Sequence, residues 1–430
     1  MDVLVTHRLR FLRALRSRLF VLFWTGQTIS ALGNGAFSTA LAWQVLVLTG
    51  SATAMGVILV AQTLPLLIFL LIGGVAADHL PRRLVLLWSD AGRAAVVLLI
   101  AALGWTHLLQ FWHLVALALI FGFVSAFFYP AYRAIPPQLV VIDDLSSANA
   151  LTAFGGQMGI LLGPLLGAVF VSLGSPANAF GFDGLTFVIS ALSLLAMRNP
   201  SPSSAHEPPI REALPHLKGT GVQRGVRRVI ADLREGASYI AGSTWLLMTI
   251  IIPAIGSLGS QGPLAVALPK LIHTVYGTGV WLLGVFGTAL GLGWLAATLF
   301  VGQVHLRKRG IVAFAVRMLA SGALILLGLP LPHASEPMVA IVAGALYGFG
   351  IGTLQTIWVT LLHELVPNDK LGRVSSIDAF GSFCLLPISY LLAGVLADHI
   401  GPAWVFVAGG VFNLVLSAIA LCIRDIRALA

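Results

Sequence analysis

Three carboxylates and two guanidinium groups stand inside stretches that are otherwise apolar: Asp90, Asp183 and Asp378, with Arg93 and Arg317. Burying such a group unpaired in hydrocarbon costs at least about 2.5–3.5 kcal/mol, so each calls for a partner or a task. Asp90 and Arg93, near the inner end of the third apolar run, are three residues apart and can pair on one helix face. Asp183, near the outer start of the sixth run, is the better candidate for coupling to a proton. Asp90, Arg93 and Asp378 complete that candidate set, although all three also fit helix ends that reach the interface. Among neutral polar residues, Gln27, Asn34 and Ser38 lie seven and four apart and share a face. With Gln44, Gln62, Thr244 and Gln355 they either line a polar path or stitch helices together. Trp43, Phe123, Phe127, Trp294 and Trp358 can meet an apolar ligand or simply face lipid and packing partners. Other chemistries find no support. Cys384 and Cys422 offer neither a disulfide framework nor metal spacing, and the 11 histidines include no HExxH. There is no GxSxG elbow and no GxxxxGK[ST] phosphate loop, so we expect no cofactor, no metal and no nucleotide hydrolysis.

Twelve apolar runs must position these groups. The 430 residues are 58% hydrophobic and only 10% charged, whereas soluble chains are about a quarter charged. A bilayer-crossing helix needs about 20 apolar residues. We place spans at 20–48, 53–77, 84–106, 110–133, 145–173 and 178–197, then 237–260, 279–303, 311–331, 337–364, 373–398 and 402–423. Residues 261–278 are ambiguous, because Pro263 and Pro269 either end the seventh helix or lie within it. The net charge of +9 follows membrane topology: of 25 Lys and Arg, only Lys270 falls on the even-numbered side of the loops. Both termini and the central loop are therefore expected in the cytoplasm, and no nucleic-acid partner is expected. The run from Phe20 to Leu48 is longer than the core of a cleaved signal. Before it, Leu9, Phe11, Leu12, Leu15 and Leu19 alternate with five arginines, which fits an interfacial helix or topogenic charge alone.

The chain divides at 199–236, its one long polar segment, rich in Pro, Ser and basic residues. Six apolar runs lie on each side. The halves echo one another at an offset of 226, with Ala153-Phe154-Gly155 matching Ala379-Phe380-Gly381. Arg82-Arg83 recurs as Arg307-Lys308-Arg309, and Arg93 as Arg317. Parallel six-helix repeats suit a transporter in which one half rocks against the other. Gly155, Gly159, Gly163 and Gly167 recur every four residues, so one helix face lets a neighbour approach backbone to backbone. Pro164 beside them is tolerable in a membrane helix.

The segment Gly74-Val-Ala-Ala-Asp78-His79-Leu-Pro81-Arg82-Arg83 resembles the cytoplasmic loop signature of the major facilitator superfamily, G-x-x-x-D-[RK]-x-G-R-[RK]. Gly74, Asp78, Arg82 and Arg83 match, whereas His79 and Pro81 depart from it. Gly159-x-x-x-Gly163-Pro164-x-x-Gly167-Ala168 resembles the helix-five antiporter motif of exporters in that superfamily, with Ala168 at its last position. Gly26-Gln27, Ala31-Leu32-Gly33-Asn34, Ser89-Asp90-x-x-Arg93-Ala94 and Phe127-Phe128-x-Pro130-Ala131 resemble the enterobactin-exporter and macrolide-efflux-like branch, which usually carries Asp where this chain has Asn34. The resemblance implies an all-α membrane protein of two six-helix bundles, 1–198 and 237–430, joined by a cytoplasmic linker at 199–236. It implies a monomer of the bacterial cytoplasmic membrane that exports an apolar or amphipathic small molecule, a drug or siderophore, in exchange for protons. An importer or lipid flippase of the same fold is the alternative. A membrane enzyme or receptor would need a cluster of reactive side chains that is not found. The gate would comprise Gly74, Asp78, Arg82, Arg83, Gly159, Gly163, Pro164 and Gly167, with Asp78 facing the start of the eleventh helix near Gly372.

Overall fold

The computed structural model describes residues 11–197 and 234–429 apart from 305, 331, 333 and 334, and omits the side chains of Leu71, Asp78, Asn368 and Asp369. Among these residues the protein is helical, without strands, and 12 helices are long and apolar enough to cross a membrane. They are α1 Arg18–Thr49, α2 Ala52–His79, α3 Arg82–Trp105, α4 Phe111–Ala134, α5 Leu145–Ser172 and α6 Pro176–Ala196 in the first half. The second half holds α7 Thr244–Val275, α8 Val280–Gln303, α9 Arg309–Gly328, α10 Glu336–Leu365, α11 in two pieces, Asn368–Cys384 and Leu386–His399, and α12 Pro402–Cys422. Most of the 199–236 segment, with Leu9 and Ser203, lies outside the described residues. Residues 234–241 form a short helix ahead of α7.

Local chemistry explains the boundaries. Ser17 accepts a hydrogen bond from the Phe20 amide at 3.3 Å and starts α1. Gly50, at φ 66°, ends it in the left-handed conformation that glycine adopts freely, and Ser51 then caps α2. Pro65, Pro130 and Pro164 sit inside helices, which surrounding helices tolerate in a membrane. Pro263 and Pro269 do not end α7. The helix loosens into π turns at Pro263–Ala267 and Leu271–Val275 and runs on. In α11 the ring of Pro387 opposes the carbonyl four residues back, and the helix breaks at Leu385. The described part of the basic N-terminal segment includes a 3-10 turn, Arg13–Arg16. It docks on the α4–α5 connection through Ala14 N–H to Ser147 Oγ (3.1 Å) and Ser17 Oγ to the Leu139 carbonyl (2.6 Å).

Packing follows the small residues. In the first half α1 lies against α5 and α6, and α3 against α4 and α6. A Cβ added at Gly159 would stand 2.5 Å from the Ala31 carbonyl oxygen, and one at Gly163 2.6 Å from the Gly35 Cα. The glycine stripe thus brings α5 onto α1 within its own half. The opposite face of α5 meets the second half: a Cβ at Gly287 of α8 would lie 2.7 Å from Pro164 Cβ. Thr288 donates to the Leu161 carbonyl at 2.8 Å in the turn that Pro164 loosens. Outward faces carry bare apolar side chains such as Trp88, Trp112 and Leu173, 73–77% exposed, as lipid-facing surfaces do.

Because the chain reverses at each span, Arg18, Arg82, Arg83 and Arg307–Arg309 gather at one end, here called the basic end. The named contacts between halves lie toward the other end. There Ser51 Oγ of the first half donates to Asp398 Oδ2 of the second at 2.5 Å, and Trp43 meets the His273 ring edge-on at 5.4 Å.

Candidate functional site

Between the halves lies a cavity of about 920 Å³. Its two walls differ in chemistry. The first half presents Gln27, Asn34 and Ser38 from α1, Gln62 from α2, Arg93 from α3 and Tyr129 from α4. The second half presents Leu264, Leu268, Phe286, Leu290, Trp294 and Ile351, relieved by Gln261 and Tyr347. The cavity reaches Tyr132, close to the basic end of α4. The α1 face expected from the seven-and-four spacing is therefore the polar wall. Asn34 and Ser38 also bond back to their own helix, at 2.9 and 2.7 Å, as lone polar side chains in apolar helices do. Gln355 is exposed and outside the cavity lining, as is Thr244. Phe123 and Phe127 line a separate outward groove of about 360 Å³ with Trp88.

Behind the polar wall is a buried charge cluster. Asp90 is 0% exposed and ion-paired with Arg93. It also accepts from Gln27 Nε2 at 3.1 Å and Ser190 Oγ at 2.7 Å, so α1, α3 and α6 meet at one carboxylate. Arg93 Cζ lies 3.7 Å from the Phe128 ring centroid and 4.5 Å from that of Phe187, a cation held between two aromatic faces. Its Nε has no hydrogen-bond partner. Hydropathy put Asp90 and Arg93 near a helix end. The structure corrects this: Arg93 stands midway along Arg82–Trp105, and both side chains are buried. Asp183 is also 0% exposed. Its Oδ1 accepts from Thr186 Oγ1 at 3.4 Å, its Oδ2 has no partner, and Gly33 of α1 leaves it room. Phe187, one turn along α6, places it beside Arg93.

The remaining candidates are elsewhere. Asp378 is half-buried and accepts from Trp358 Nε1 at 3.0 Å, outside the cavity lining. Arg317, at the position matching Arg93, is buried and donates to Asn413 Oδ1 at 2.7 Å. Phe314 stands where the first half has Asp90, so this named partner is a neutral amide. Sequence reasoning missed Asn413, a single amide in an apolar run, and Asp398, which sits at a helix end. In the loop signature Arg82 Nη1 donates to the Ala134 carbonyl (2.6 Å) and Arg83 Nε to that of Leu194 (2.6 Å). These arginines clasp the C-termini of α4 and α6, within the first half, where a cation is favoured. Gly74 has open space around it, and the Asp78 side chain is outside the described part.

The profile of the Major Facilitator Superfamily matches residues 23–387. The chain belongs to that superfamily. It is a multi-pass membrane transporter, as its 12 apolar helices and two-walled central cavity indicate. The multidrug efflux pump Tap of Mycolicibacterium fortuitum is 25% identical to it over 429 residues, covering 96% of this chain and 97% of the pump. Macrolide efflux protein A of Streptococcus pyogenes is 21% identical, covering 95% and 97%. The enterobactin exporter EntS of Citrobacter koseri is 26% identical, covering 78% and 90%. The resemblance to the enterobactin and macrolide branch is thus borne out. Among solved structures, a bacterial homologue of the iron transporter ferroportin, in an inward-facing state, superposes with TM-score 0.69 at 15% identity, covering 94% of this chain and 98% of that one. A bacterial homologue of the human lysosomal transporter Spinster gives 0.66 at 14%, covering 96% and 97%. Both share the fold.

Proposed function

We propose that this transporter is a proton-coupled exporter of apolar or amphipathic small molecules, drugs or siderophores among them, working as a monomer in the bacterial cytoplasmic membrane. The observation that carries this reading is the cavity with one polar and one apolar wall. Among the described residues its one lining cation, Arg93, is already neutralised by Asp90. A ligand with an apolar body and a few hydrogen-bonding groups fits such walls, whereas a sugar phosphate or dicarboxylate would find no free cationic pair. Relatives that pump drugs, macrolides and enterobactin outward support the direction. With the basic end in the cytoplasm, as one-sided Lys and Arg require, both termini and the 199–236 linker are inside and the cavity reaches the cytoplasmic side. Bundles 1–198 and 237–430 then rock about the α5–α8 and α2–α11 contacts.

Coupling runs through Asp90, Arg93 and Asp183. An ionised carboxylate with an unbonded oxygen is costly when enclosed, so the charge state of Asp183 depends on whether Arg93 turns toward it. A proton leaving Asp183 draws Arg93 from Asp90, and Arg93 lines the cavity, which links proton release to the occupant. The test is accumulation of neutral, cationic and anionic amphiphiles in pump-deficient bacteria expressing the protein. We expect lowered accumulation of apolar and weakly polar compounds, with the spectrum altered by Trp294→Ala and Gln62→Leu. Lowered accumulation of small polyanions alone would overturn the substrate class; raised accumulation or lipid movement would mark an importer or flippase.

A further inference from the structure

Asp398 ends α11 at the end remote from the arginines, and its carboxylate reaches into the other half. It accepts from Ser51 Oγ at 2.5 Å, from the Ala52 amide at 2.9 Å and from the Thr53 amide at 2.9 Å. Lys270 Nζ closes the group at 2.5 Å. Those amides are the first of α2, which no carbonyl of that helix can satisfy, and an anion is favoured there. A helix of one half is therefore capped by a carboxylate of the other.

The residues that end α11 recur at the end of α2. Gly394-Val395-Leu396-Ala397-Asp398-His399 repeats Gly74-Val75-Ala76-Ala77-Asp78-His79 in all positions but one. The two hexapeptides end helices at opposite ends of the molecule, since α2 finishes at the basic end and α11 at the other. Their glycines differ in surroundings. A Cβ at Gly394 would lie 2.8 Å from the Thr53 Cα, so this glycine lets α11 cross the start of α2 at close range. A Cβ at Gly74 would meet nothing within 4 Å. The glycine of the motif is in close contact at one end and in open space at the other.

We propose that Asp398 is a gating residue of the transport cycle, the counterpart at the far end of the Asp78 gate that the superfamily resemblance implies. Each caps the N-terminus of the helix that carries the other. Asp398 caps α2 while the cavity reaches the basic end. Asp78 caps α11, which begins at Asn368, when the basic end closes and Gly74 packs as Gly394 does here. Opening one latch returns its amides and carboxylate to water while the other pair leaves water. The exchange is nearly even, which keeps both states accessible. Removing one carboxylate tilts the balance, and removing both restores it. The proposal concerns the populations of the two states and stands whichever way substrate moves.

Spin-label distances test this on the full chain, with Cys384 and Cys422 replaced by Ser. One label pair, Val47→Cys with Ile400→Cys, reports the latched end, and another, Leu80→Cys with Ser375→Cys, reports the basic end. Asp398→Asn should raise the ratio of molecules open at the latched end at least about fivefold, the low end of typical coupling between sites. Asp78→Asn should shift it the other way, and the double variant should return near the starting ratio. Unchanged distances in Asp398→Asn, or shifts of the same sign in both single variants, would overturn the proposal. If Asp398→Asn does not reach the membrane, Lys270→Met and Ser51→Ala each remove one bond of the latch. Either must then open the latched end, and failure of both to do so is equally decisive.

Discussion

Gly163 and Gly156 lie on the same helix seven residues apart, and replacing each with alanine separates packing from helix propensity. A Cβ at residue 163 would stand 2.6 Å from the Gly35 Cα and 3.0 Å from the Leu32 carbonyl oxygen. The first distance is roughly 0.8 Å short of ordinary contact at 3.4 Å, and both neighbours are backbone that cannot swing aside. A Cβ at residue 156 would meet nothing within 4 Å. Each Gly→Ala change gains up to about 1 kcal/mol of helix propensity. Only Gly163→Ala adds overpacking, at about 1–3 kcal/mol. The propensity gain cancels between the two, so the variants should differ in stability by about 1–3 kcal/mol, with Gly156→Ala at or above wild type. Thermal unfolding of the purified protein in detergent reads the difference. Equal midpoints for the two variants would refute the argument that α1 and α5 touch backbone to backbone at Gly163.

Asp90→Asn leaves the buried Arg93 without its charge partner and should destabilise by about 3–5 kcal/mol, with Asp90→Asn/Arg93→Gln recovering much of the loss in the same melts. Asp183→Asn keeps shape and a hydrogen-bonding oxygen but removes the titrating group. It should melt near wild type while pH-gradient-driven efflux falls to background, and retained drive would move the coupling site elsewhere. A cysteine at Ser203 should react with impermeant maleimide only in inside-out vesicles, and labelling on intact cells would reverse the assigned orientation.

Much of the architecture was legible because the bilayer imposes length and composition on every span, and one-sided arginines mark each reversal. The glycine spacing in α5 likewise announced a close neighbour, although not which one. Periodicity gives the face, and only the fold shows that this face meets α1 while Pro164 meets α8. Gln27, Asn34, Ser38 and Gln62 were found because a polar side chain in an apolar run is conspicuous, and all four reach the cavity. Gln355 looked the same and does not, since a polar residue on a long helix can also face outward. Asp90 and Arg93 were placed toward a helix end although the span at 84–106 nearly matches the observed helix, because a charged pair in an apolar run is expected at an interface. The meeting of Asp90 with Ser190, 100 residues away, and of Asp398 with Ser51, 347 away, could not be read at all, because tertiary contact leaves no local period.

The most direct test is transport by purified protein in liposomes loaded with a fluorescent amphiphile, with an imposed pH gradient as the only energy source. The account predicts that the amphiphile moves against its own gradient, opposite in direction to the protons, with the motion abolished by a protonophore and by Asp183→Asn. Movement that ignores the pH gradient, or that runs with the protons, would contradict it.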